Sequence, residues 1–262
     1  MKKIILIGLI APLALPALET AAGTAEEKGL AIAKEFDRRD TGFGDYRADM
    51  VMTLRNKKGD ESMRHLRIRI KEVKGDGDKS MSVFDRPRDI KGTAMLTWSH
   101  ALKPDDQWLY LPSLKRVKRI ASRNKSGPFM GSEFAYEDLA SQEVEKYTYK
   151  YLRDGTLDGQ DCFVIERVPA YEYSGYKREE VWFDKKEYRP LKIVYYDRKG
   201  ALLKTETFSG YHQYLGRYWR ADRIEMVNHQ TGKSTTLDWK DYRFRNGLTD
   251  RDFDKNTLKR AH

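Results

Sequence analysis

The side chains able to do chemistry are scattered, and their spacing fits no catalytic or metal-binding arrangement. The five histidines are His65, His100, His212, His229 and His262. None stands in a His-Glu-x-x-His pair, so zinc hydrolysis has no ligand set. Ser132 follows Gly131, but the second glycine and the strand-turn-helix context of a nucleophile elbow are lacking. A phosphate loop is missing too. Asp105-Asp106 precedes a strand pattern and is most simply a turn. The single cysteine, Cys162, lies in Cys162-Phe163-Val164-Ile165 and reads as a buried strand residue. It excludes an internal disulfide even in an oxidising compartment. No enzyme, cofactor or metal is expected.

What remains is chemistry of surfaces. An apolar, methionine-bearing set, Met50, Met52, Leu54, Leu66, Ile68, Ile70 and Met95 with Trp98, Trp108 and Tyr110, is the candidate lining of a greasy interior. Methionine adapts to irregular partners; ordinary core packing is the competing explanation for each residue taken alone. A basic cluster, Lys115, Arg116, Lys118, Arg119 and Arg123, with Lys125 beyond it, is the candidate docking surface for an acidic protein face or an anionic membrane. The competing explanation is a charged edge strand that discourages edge pairing.

The compartment follows from the first residues. Lys2 and Lys3 precede the apolar run from Ile4 to Leu15, and small residues follow to Gly23. That is the layout of a secretory signal peptide over residues 1–22. The run is short for a membrane span, which needs roughly 20 apolar residues. No cysteine stands near the cleavage region, so the chain is expected to be free and soluble in the periplasm. The formal charge is +10, falling to about +9 without Lys2, Lys3 and Glu19. A basic surface favours anionic partners. The sequence carries no helix-turn-helix, zinc-finger or aromatic RNA-binding pattern, and nucleic acid is not expected.

The remaining residues, 23–262, read as a single domain without linker or repeat. Ala25 to Arg39 has helical spacing at Leu30, Ile32, Ala33 and Phe36. From Tyr46 the period drops to two. Tyr46, Ala48, Met50, Met52 and Leu54 alternate with polar residues, and after the Asn56–Asp60 turn Leu66, Ile68 and Ile70 do the same. The pattern continues to Phe244 through glycine-containing turns and predicts roughly eleven to thirteen strands in an up-and-down antiparallel sheet. One strand is expected over Glu143–Leu152, and a short helix over Asp250–Arg260. So long a sheet must curl, because strand twist accumulates. A curled sheet of that size encloses more room than one layer of side chains fills. The irregular stretch Ser122–Ser141 breaks the rhythm, and its Phe129, Met130, Phe134 and Tyr136 are expected to form a movable lid.

Four runs carry a family resemblance. Phe84–Leu96, FDRPRDIKGTAML, and Asp106–Ile120, DQWLYLPSLKRVKRI, are the first two. Gly131–Leu139, GSEFAYEDL, and Asp238–Leu248, DWKDYRFRNGL, complete the set in order. Together they resemble the outer-membrane lipoprotein-sorting, LolA-like family. The resemblance implies an unclosed antiparallel β-barrel with helices covering its concave face, of about 11 strands. It also implies carriage of lipid or lipoprotein acyl chains by a monomer. The sequence is similar to a branch of that family, distinct from the standard lipoprotein chaperone, that is associated with resistance-nodulation-division (RND) transporters. An inner-membrane transporter of RND or ABC type and an outer-membrane acceptor are therefore the implied partners. No catalytic residue carries over, and the family's functional arginine has no matching motif here. The alternatives are a periplasmic sensor or adaptor subunit and an envelope hydrolase. A sensor would need a further signalling domain, and a hydrolase a polar cluster in the cavity.

Overall fold

A computed structural model describes residues 23–260; the signal-peptide reading of residues 1–22 lies outside them. The chain opens with helix α1, Ala25–Asp40. Thr24 caps it: its hydroxyl accepts from the Glu27 N–H, and the Glu27 carboxylate accepts from the Thr24 N–H, satisfying two otherwise orphaned donors. Thirteen strands follow: β1 (Asp45–Arg55), β2 (Glu61–Lys71), β3 (Lys79–Arg86), β4 (Ala94–Trp98), β5 (Asp106–Leu111), β6 (Arg116–Ile120), β7 (Tyr147–Leu157), β8 (Gln160–Pro169), β9 (Tyr176–Asp184), β10 (Pro190–Asp197), β11 (Leu202–Tyr214), β12 (Tyr218–Asn228) and β13 (Ser234–Phe244).

All thirteen pair antiparallel in one sheet, in the order β6-β5-β4-β3-β2-β1-β13-β12-β11-β10-β9-β8-β7. Each strand lies beside its sequence neighbour, except that β1 pairs with β13 and β6 is separated from β7. The up-and-down expectation is thus met by a ring opened at one place. The opening falls between β6 and β7, and residues 121–146 bridge it. These residues form short 3-10 turns, including Val144–Lys146, which displaces the expected start of the seventh strand to Tyr147.

The two faces of the sheet bury different things. On the concave face Met50, Met52, Leu66, Ile68, Phe84, Met95 and Leu109 belong to one continuous core that also takes in Ile32 and Ala33 of α1. On the convex face Met81, Val83, Ala94, Leu96 and Tyr110 pack under Leu248, Phe253 and Leu258. The C-terminal segment that supplies this cover is two 3-10 turns, Asp250–Phe253 and Leu258–Arg260, where a short helix was expected. Helix α1 lies against the edge strand β7. Gly29 sets that approach: a Cβ there would stand 2.7 Å from the Lys150 and Tyr151 backbone. No helix among the described residues is long and apolar enough to cross a membrane.

Candidate ligand cavity

The presumed lid is a plug. Phe129 and Phe134 are 1% and 3% exposed and belong to the concave core. Phe129 packs on Phe84 and Tyr136, with ring centroids 5.8 Å away in both cases. Met130 and Tyr136 are half-buried against the same core. Polar contacts pin the segment to five strands. Arg64 of β2 donates to the Met130 carbonyl (2.6 Å), and Gln107 of β5 to the Tyr136 carbonyl (2.8 Å). The Glu133 N–H donates to Thr235 Oγ1 of β13 (3.0 Å), and Asn228 of β12 donates to the Glu133 carboxylate (2.7 Å). Lys204 of β11 donates to the Glu133 carbonyl (3.0 Å) and pairs with Asp138 (2.7 Å). A movable cover would not bury its aromatic rings and desolvate charges at so many fixed partners.

The plug fills the concavity over β1 to β5. Met50, Met52, Leu66, Ile68 and Met95 are therefore buried core beneath it, and Leu54 packs at its margin. Trp98, Trp108 and Tyr110 point to the convex face, because alternation along β4 and β5 puts Met95 and Leu109 inside. The Trp98 indole N–H donates to the Phe253 carbonyl (2.8 Å), under the C-terminal segment. Of the ten expected lining residues, only Ile70 borders the open space.

That open space is a cavity of about 830 Å³ over the other half of the sheet, beneath the C-terminal part of α1. Its apolar wall comes from Val181 and Phe183 of β9, Ile193 of β10, Phe208 and Tyr211 of β11, Trp219 and Ile224 of β12, and Trp239 and Tyr242 of β13; charged side chains supply much of the remaining lining. Phe36 of α1 closes over Phe183, with centroids 5.2 Å apart. Strand alternation carried the signal for these residues. What it could not say is which half of the concave face the plug leaves empty.

One end of the cavity meets a buried polar network. Asp138, Arg167, Tyr195 and Glu206 border it. Arg167 pairs with Glu179, and both are almost fully buried. The Tyr195 hydroxyl donates to Glu206 (2.6 Å) and the Tyr176 hydroxyl to Asp138 (2.8 Å). Burial pushes the Glu206 carboxyl up to about 7; the Tyr195 hydrogen bond opposes this and repulsion from Asp138 adds to it.

At the mouth, α1 is fastened by its C-terminus. Arg217 donates to the Arg38 carbonyl (2.8 Å), satisfying an orphan acceptor of the last turn. Arg220 pairs with Asp40 and lies over the rings of Phe43 and Tyr46. Carboxylates crowd the rim. Burial, then repulsion from Glu143, pushes Asp78 up to about 7, and burial with repulsion from Glu145 raises Asp37.

The basic residues stand elsewhere. Lys115, Arg116, Lys118, Arg119 and Arg123 are exposed around β6, and none of them lines the cavity. Lys125 does not join them. It is 8% exposed and sits over the Tyr171 ring, 3.4 Å from its centroid.

An opened antiparallel ring curled around an apolar hollow and fronted by a helix is a LolA-like half-barrel. A LolA superfamily protein from Nitrosomonas europaea shares this fold, with a TM-score of 0.70 at 23% identity over 90% of this chain and 99% of that one. Two structures are nearer. An outer-membrane lipoprotein-sorting protein domain from Vibrio parahaemolyticus is 59% identical, with a TM-score of 0.88 over 89% of this chain and 99% of that chain. A DUF1329 family protein from Desulfovibrio piger is 30% identical, with a TM-score of 0.85 over 90% and 100%. A family model described only as uncharacterized-protein-like matches residues 76–260. Comparison with curated proteins gives no match. The chain belongs to this LolA-like, outer-membrane lipoprotein-sorting family.

Proposed function

We propose that the protein is a periplasmic carrier that holds lipid, or the acyl chains of lipoproteins, in the cavity beneath α1. In this reading it moves them between envelope membranes or to and from an inner-membrane transporter of RND or ABC type, with an outer-membrane acceptor as the far partner. The observation that carries the reading is the hollow itself: about 830 Å³ with one wall of aliphatic and aromatic side chains, which the chain's own residues leave unfilled. Burying a methylene is worth about 0.8 kcal/mol, so ten of them supply about 8 kcal/mol. That is enough to offset loosening of the few polar contacts that hold the end of α1. The similar Vibrio protein, described as a lipoprotein-sorting domain, points the same way.

The test is solvent extraction of the protein purified from the envelope, followed by mass spectrometry. Stoichiometric lipid is expected from the wild type and little from Ile224→Glu, which sets a charge on the cavity wall. Equal lipid in the two folded proteins, or none in either, would overturn the reading.

A further inference from the structure

The two edges of the open sheet are treated differently. Edge strand β7 is covered by α1. Edge strand β6 carries no strand on its outer side among the described residues, and its Arg116, Lys118 and Arg119, with Lys115 just before it, are exposed. Arg119 pairs with Asp106, whereas Lys115, Arg116, Lys118 and Arg123 form no ion pair among the described residues. The turn that leads into β6, Pro112–Leu114, holds Leu114 out into solvent at 66% exposure. Behind it is a notch of about 400 Å³, separate from the main cavity. Leu111, Leu114 and Val117 give it apolar walls, and Arg116, Lys118 and Arg119 give it a cationic rim.

Protection of an edge accounts for the charges, since lysine and arginine deter strand addition. It does not account for a large aliphatic side chain presented at the tip, nor for an amphipathic notch beneath that side chain. An exposed apolar residue ringed by unpaired cations is the chemistry of a surface that meets anionic headgroups and the first methylenes below them. We propose that the β5–β6 tip docks on an anionic lipid bilayer. Leu114 enters the headgroup layer, and the notch takes one phosphate headgroup with the top of its acyl chain. None of the notch residues lines the main cavity.

The experiment is co-sedimentation of the lipid-stripped mature chain with vesicles of phosphatidylcholine alone or doped with phosphatidylglycerol. Binding is expected only to the anionic vesicles and should weaken steeply as salt shortens the screening length. Each basic residue near such a surface contributes roughly fivefold in affinity. Reversing both charges in Arg116→Glu/Lys118→Glu should therefore cost at least about 25-fold, and Leu114→Asp should weaken binding with no change in Tm, since the residue is exposed. Absence of binding to anionic vesicles at low salt would overturn the proposal. So would equal binding to both vesicle types, or unchanged binding by the variants. Binding of an acidic envelope protein that these variants abolish, without vesicle binding, would give the face to a protein partner instead.

Discussion

Truncating Phe129 separates a plug from a lid. The ring is 1% exposed, meets Phe84 and Tyr136, and lies in a segment whose carbonyls and amides are held by β2, β5, β11 and β13. Phe129→Ala therefore removes a large buried side chain from a site that cannot collapse, because its neighbours are sheet residues fixed by pairing. The expected loss is about 3–5 kcal/mol. For a domain of this size each kcal/mol lowers Tm by about 2–4 °C, so the midpoint should fall by about 6–20 °C. Differential scanning calorimetry with a denaturant titration reads both quantities. A cover that opens in the resting protein would lose far less, since its open form already exposes the ring. A fall below about 2 °C with an unchanged denaturant midpoint would refute the buried-plug geometry.

Other substitutions probe the polar network and the helix contact. Lys204→Met leaves the buried Asp138 carboxylate without its cation and should cost about 3–5 kcal/mol by chemical denaturation, with much of the loss recovered in Lys204→Met/Asp138→Leu. Glu206 has a folded pKa near 7, above its ordinary value of 4.5, so the folded state binds its proton more tightly. Its stability contribution is full below about pH 4.5 and is lost as the pH rises through about 7. Glu206→Gln should therefore be the more stable protein at pH 8, by roughly 3 kcal/mol or less, and should lose that advantage towards pH 4.5. A constant difference between the two melting curves across that range would contradict the assignment. Gly29→Ala must push α1 off the β7 backbone; a loss of about 1–3 kcal/mol is expected despite alanine's better helix propensity, together with faster proteolysis within α1.

Much of this architecture was legible in local pattern. The change of period at Tyr46 marked where the helix gives way to the sheet, and the glycine turns marked the strand ends. The side-chain parity of β1 and β2 was right as well, because alternation fixes which residues share a face. What alternation cannot report is what lies on that face. Glycines flanking Phe129-Met130 fit a hinge and a tight crossing equally well. The partners that decide, Thr235, Asn228 and Lys204, are 102, 95 and 71 residues from Glu133 in sequence. The same long-range pinning moved the hollow from Met50 and Leu66 to Ile193, Phe208 and Ile224. Trp98, Trp108 and Tyr110 are apolar enough to suit a lining, but composition does not fix their face. Their parity relative to Met95 and Leu109 puts them outward, where the C-terminal segment from Leu248 to Leu258 supplies a second core.

Quenching of tryptophan fluorescence by a phospholipid brominated along its acyl chain tests the cavity assignment most directly. Trp219 and Trp239 line the hollow, whereas Trp98 and Trp108 lie under the C-terminal segment and Trp182 stacks with Arg153 and Lys192 beside the inward Val181 and Phe183. Saturable quenching of the lipid-stripped protein is expected to persist in Trp98→Phe/Trp108→Phe and to disappear in Trp219→Phe/Trp239→Phe. Quenching that follows Trp98 and Trp108 instead, or that never saturates, would place the lipid outside the half-barrel.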